Sequence, residues 1–144
     1  MIDVPPHLSY CLNIHPGESW AEQDAAIRRY ACAVRDRVTE GRPFGLGLRL
    51  SAASAHTLSD PAVLAAFREL LDREGMYAFT INGFPYGAFH ATRVKEAVYR
   101  PDWRSAERLA YTCRMADLLA ALVPAGVEGS ISTVPVGFGA DFAD

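Results

Sequence analysis

The chain has 144 residues, half of them hydrophobic, enough for one domain with a real core and too few for two ordinary ones. A formal charge of −3 and a pI near 5.8 leave no basic field for nucleic acid or an anionic membrane surface, so a small-molecule metabolite is the expected partner. Cys11, Cys32 and Cys113 are odd in number and widely spaced in apolar surroundings, which points to buried, reduced thiols of a cytoplasmic protein rather than to a disulfide framework or a zinc site. The first six residues have neither the basic start nor the apolar core of an export signal, and no apolar run approaches the ~20 residues of a membrane span.

Leu8 to His15 reads as a first strand, with Leu8, Tyr10, Leu12 and Ile14 on one parity and Ser9, Cys11, Asn13 and His15 on the other. Ser19-Trp20-Ala21-Glu22 has the spacing of a capping box and opens a helix carried on by Ile27, Ala31, Val34 and Val38, with Gly41 and Pro43 as its stop. Phe44 to Ser51 is a second alternating strand, with Phe44, Leu46, Leu48 and Leu50 against Gly45, Gly47, Arg49 and Ser51. Asp60-Pro61 begins a helix with the stripe Leu64, Phe67 and Leu71, which Gly75 ends. Tyr77 to Asn82 is the third strand, its parities Tyr77, Phe79, Ile81 and Ala78, Thr80, Asn82. Asp102 is placed to cap a further helix with the stripe Leu109, Cys113, Ala116, Leu119 and Val123, before a fourth strand over Glu128 to Thr133.

Strict alternation belongs to sheets with one wet face, whereas strands separated by helices must run parallel. A closed barrel reconciles the two: aliphatic parity outward under the helices, small and polar parity inward around the axis. The expected fold is therefore α/β, a partial (β/α)8 TIM barrel of about four βα units with parallel strands, residues 1–144 forming a single domain that is its N-terminal half. An open four-stranded α/β sheet, complete in itself, is the rival.

Ligand sites in parallel α/β folds sit at the carboxyl ends of the strands. His15 and Glu18 follow the first strand and His90 lies in the long loop after the third, so these three are the candidate catalytic residues, as acid and base. His15 and His90 are also candidate ligands of a divalent metal, Zn2+ or Mn2+. Two histidines and one carboxylate leave such a site short of ligands, so weak metal binding by this chain is expected. Asn13, Arg49, Ser51, Asn82 and Ser132 fall near strand ends on the inward parity and are candidate ligand-binding groups, and Asn13, His15, Arg49, Asn82 and His90 are expected to share one cleft. Arg49 is the sharpest of them, because an arginine inside an apolar run must meet an anion or acceptors. An internal pair with Glu18 would satisfy it as well as a ligand would. In the loop over Gly83 to Arg100, Tyr86 with its aromatic neighbours would wall a pocket, and Arg93 and Lys95 would meet a carboxylate or phosphate. The rim residues have plainer readings too: a turn oriented by His15, a helix start favoured by Glu18, a solvated His90.

The runs Leu8 to Trp20, Gly47 to Ser51, Thr80 to Gly87 and Ser130 to Pro135 together resemble the EboE-type metabolite traffic proteins of the xylose isomerase-like TIM-barrel superfamily. The resemblance spans nearly the whole chain. It implies a barrel related to sugar-phosphate isomerases and epimerases, from bacterial gene clusters that move small metabolites out of the cytoplasm. It also implies that the metal carboxylates and histidines come largely from later strands, so the 144-residue chain reads as a truncated form without turnover of its own. A non-catalytic metabolite-binding or scaffold protein is the alternative function. Strands one and four would present unpaired backbone, so self-association through the open barrel edges is expected.

Overall fold

The computed structural model describes residues 7–87 and 95–142. Four strands form one all-parallel sheet in the order β1 (Ser9–Cys11), β2 (Phe44–Arg49), β3 (Met76–Asn82), β4 (Ser130–Ser132). The α/β class and the parallel sheet agree with the sequence reading. Between the strands lie α1 (Trp20–Ala26), α2 (Cys32–Val38), α3 (Ala52–Leu58), α4 (Pro61–Arg73) and α5 (Ala106–Leu122). No helix is long and apolar enough to cross a membrane among the described residues.

The helices share one face of the sheet. Phe44, Leu46, Leu48 and Leu50 project to that side together with Met76, Ala78 and Ile81, and pack with Ile27, Leu58, Phe67, Leu70, Met115 and Leu118 in a single core. The opposite face carries Gly45, Gly47 and Arg49 from β2. A Cβ added at Gly45 would stand 2.8 Å from the Phe79 ring, so glycine there admits an aromatic group across the sheet. His7 stacks on Phe79 with ring centroids 4.4 Å apart and bonds the Tyr77 hydroxyl at 2.7 Å, closing an aromatic cluster over the amino end of that face.

Several local expectations are corrected. The first strand is only Ser9–Cys11, followed by the 3₁₀ turn Leu12–Ile14, because polarity alternation continues past the last residue that can pair with β2. The β2–β3 register shifts between Leu46 and Gly47 of β2, leaving Phe79 of β3 as an extra residue; Met76, Ala78 and Ile81, not Tyr77, Phe79 and Ile81, therefore share the core side. The helix expected from Trp20 to Val38 contains a π-helical turn at Ile27–Ala31, and Ile27 and Ala31 are both fully buried. The second strand ends at Arg49, and Ser51 instead caps α3, accepting the Ser54 amide at 3.1 Å.

The last helix differs most. Its cap is Ser105; Asp102 makes a local turn with the Arg104 amide at 2.9 Å. Its buried stripe is Arg108, Tyr111, Met115, Leu118, Leu119 and Leu122, while Leu109 is exposed. Alanine and cysteine fill both flanks of this helix, so periodicity favoured the wrong side; the right one is chosen by two polar residues with buried partners. Cys113 is exposed on the outward side and Cys11 on the helix-free sheet face, against the expectation of buried thiols, and all three cysteines are free.

Three carboxylates on this scaffold hold their protons less tightly than usual. The Ser19 amide and hydroxyl lower the pKa of Glu22, the Arg35 guanidinium lowers that of Glu74, and Arg104 lowers that of Asp102. A carboxyl with a folded pKa below its unfolded value adds stability that is complete above the unfolded value and vanishes as pH falls through the folded one. Stability should hold from neutrality to about pH 5 and decline below about pH 4. Urea unfolding at stepped pH checks this, and Glu74→Gln should flatten the acid limb.

Candidate functional site

The carboxyl end of the sheet is built around Arg49, the last residue of β2. Its side chain sits on the helix-free face and is only 2% exposed, so its charge must be met nearby. Arg49 Nη2 donates to Glu18 Oε1 at 2.7 Å and Nη1 to the Gly17 carbonyl at 2.8 Å. Two hydroxyls complete the clamp on the same turn: Ser51 Oγ and Ser54 Oγ both donate to the Glu18 carbonyl, at 2.6 and 2.7 Å. Behind the turn, Glu22 Oε2 accepts the amides of Glu18 and Ser19 at 3.0 and 2.9 Å, the capping box read from the sequence. Arg49, Ser51 and Glu18 thus come together as a loop-holding cluster, the internal pairing that the sequence left open.

A second polar group lies beside it on β3 and β4. Asn82 is paired in register with Arg49 on one side and Ser132 on the other. Asn82 Oδ1 accepts the Ser132 hydroxyl at 2.8 Å and the Phe84 amide at 3.1 Å. Two residues earlier, the Thr80 and Ser130 hydroxyls are 2.8 Å apart. These four side chains form a hydrogen-bonding ladder at the carboxyl end of the helix-free face, and Thr80 and Ser130 were not among the residues singled out from sequence. Thr80 shares the parity of Asn82 and Ser130 that of Ser132, so alternation placed them on this face; their pairing with each other depends on the β3–β4 register.

His15 is held toward the helix layer. Tyr10, in register with buried Leu46, bonds His15 Nε2 through its hydroxyl at 2.8 Å, and the His15 ring stacks on Tyr30 of the π-helical turn at 4.3 Å and 9°. Asn13 is half-buried in the 3₁₀ turn between β1 and His15. His90 and Arg93 lie outside the described residues, and Lys95 opens the 3₁₀ turn Lys95–Tyr99. Among the described residues no group of three or more His, Cys, Asp or Glu is placed to hold a metal ion.

Tyr86 is turned onto α5. Its ring meets Tyr111 edge-on at 5.1 Å and lies 5.9 Å from the Arg108 guanidinium. Arg108 is fully buried and works on backbone: Nη1 donates to the Gly83 carbonyl at 2.8 Å, Nη2 to Phe84 at 3.3 Å and Nε to Pro101 at 2.8 Å. Burial draws its pKa below the ordinary arginine value. The Tyr111 hydroxyl donates to the Leu50 carbonyl and, at 3.4 Å, to that of Pro85, and burial pushes its pKa well up, so it stays a neutral donor. Sequence reading missed both. The signal was present, an arginine and a tyrosine three apart at the start of an apolar helix, but their partners are carbonyls distant in the chain.

No protein-family model matches the chain, and neither a curated protein nor a solved structure shows significant similarity to it.

Glu18→Gln removes the charge facing Arg49 and should destabilise the protein by about 1–3 kcal/mol, less than for a fully buried pair because the Glu18 side chain is 36% exposed. Adding Arg49→Met should recover part of that loss, since it removes the buried charge as well; a double-mutant cycle in urea measures the coupling. Tyr111→Phe should cost about 1–3 kcal/mol in the same assay, because two carbonyls lose a buried donor.

Proposed function

We propose that the chain is an EboE-like metabolite traffic protein, four βα units of a xylose isomerase-like barrel, whose helix-free face holds a small polar metabolite at the carboxyl ends of the strands. The observation that carries this reading is the ladder of Thr80, Ser130, Asn82 and Ser132, where hydroxyl and amide groups stand on the helix-free side of a sequentially ordered parallel sheet. A sheet with this order places its helices on one side, and the other side is the interior when the strands curve into a barrel. Polar side chains at the carboxyl end of that interior are the groups that bind ligands in such folds. The relation to sugar-phosphate isomerases and epimerases, and a role in processing or exporting a metabolite in the cytoplasm, follow from the sequence resemblance. Turnover through a divalent metal would need ligands beyond His15 and Glu18.

Binding without turnover is the second reading, and one observation favours it. Glu18 pairs with Arg49, and His15 is fixed between Tyr10 and Tyr30, so both described acid–base candidates serve the scaffold.

Titration of the 15N-labelled chain with ribulose 5-phosphate, with and without Mn2+, separates the readings. Shifts at the Thr80, Asn82 and Ser132 amides are expected, weakened about tenfold by Asn82→Ala as one hydrogen-bonding group is lost. Isomerised product formed only with Mn2+ supports the enzyme, and binding with no product supports the carrier. Shifts confined to other elements overturn both.

A further inference from the structure

The large apolar side chains that stay exposed among the described residues are not scattered. Every one belongs to the first βα unit, as do Leu8, Ile14 and Val38, or to the α5–β4 end, as do Trp103, Leu109 and Val136. None comes from β2, α3, α4 or β3. Isolated exposed apolar groups are ordinary on a protein surface, but segregation onto two flanks marks an interface.

Those flanks are also where the sheet is open. Among the described residues β1 pairs with β2 alone and β4 with β3 alone, so each has one edge with no described strand beside it. Both edges are three residues long, run in the same direction and alternate alike: Ser9, Cys11, Ser130 and Ser132 are exposed, while Tyr10 and Ile131 are half-buried against the core. A β4 edge and a β1 edge laid side by side would continue the parallel ladder.

Charge divides the same way. The acids of α1 and α2 are used within that flank, Glu22 by the helix cap, Asp24 by Arg28 and Asp36 by Arg35, leaving Arg29, Arg37 and Arg42 exposed there against the one further exposed acid, Glu40. On the other flank Glu107, Asp117 and Glu128 are exposed and outnumber the half-buried Arg114 of the same helix. One chain therefore carries both halves of a complementary contact.

We propose that the partner for these flanks is a second copy of this chain, β4 of each pairing in parallel with β1 of the other. A head-to-tail contact of this kind propagates without limit unless its rotation closes, and a four-stranded unit closes after two copies into an eight-stranded parallel ring. The closed shape rests on the barrel reading above; the contact between flanks rests on the exposed side chains and edges alone.

Sedimentation equilibrium of the full chain without ligand, across micromolar to submillimolar concentration, tests this separately from metabolite binding. The expected species has twice the 15.7 kDa chain mass. Leu109→Arg and Val136→Arg each place a cation on the acidic flank against the arginines of the second copy, and each should weaken the dimer about tenfold or more. Both positions are exposed, so the circular dichroism and urea transition of the dissociated chain should match those of the parent and exclude misfolding as the cause. A single-chain mass throughout, an open-ended series of larger species, or a dimer indifferent to both variants would overturn the proposal.

Discussion

Arg49 ends the second strand with a side chain that has almost no access to water, and its charge dictates what must surround it. A cation at that depth is tolerated when carboxylate and carbonyl oxygens are brought to it, and the Gly17-Glu18 turn supplies both. The turn is in turn fixed by Ser51 and Ser54, which belong to the start of the next helix. One buried charge thereby ties the loop after β1 to the junction of β2 and α3. It sets the height of the rim on that side of the sheet.

The other side of the rim is fixed by different chemistry. After β3 the chain leaves the sheet, and the carbonyls of Gly83, Phe84 and Pro85 need donors. Arg108 and Tyr111 supply them from one face of α5, and Tyr111 also reaches back to Leu50 at the end of β2. Buried donors of this kind are costly to lose, because the acceptors they leave are shut off from water. Between these two braces lies the Asn82–Ser132 and Thr80–Ser130 ladder, whose groups bond one another across the strands. A ladder held between rigid supports can meet a polar ligand without reorganising, which favours binding.

The helix-free face changes character along its length. Aromatic rings from His7, Tyr77 and Phe79 cover the amino end, with Gly45 making room for them. Hydroxyl and amide groups take over at the carboxyl end. The face thus runs from apolar filling at one end to hydrogen-bonding groups at the other.

The sequence by itself determined the class of fold: aliphatic alternation in β2, the Ser19 capping box, Asp60-Pro61 and Gly75 are local signals, each with its own physical cause within a few residues. Gly75 takes a φ of 62° just after α4, where glycine is favoured, and the helix stops as read. It also marked Arg49 as a residue in need of a partner, since that follows from the cost of a buried charge. What the tertiary structure decided was everything that depends on a distant neighbour. The bulge at Phe79 is a property of the β2–β3 pairing, and it sends Thr80 rather than Phe79 forward in step with Gly47. The face that α5 buries was chosen by carbonyls at Leu50, Gly83, Phe84 and Pro101, which no count of apolar residues along the helix could locate. His15 was drawn to the helix layer because a π-helical turn offered Tyr30 for stacking. Periodicity reports which residues prefer to be out of water, whereas partners are settled only when the chain closes on itself.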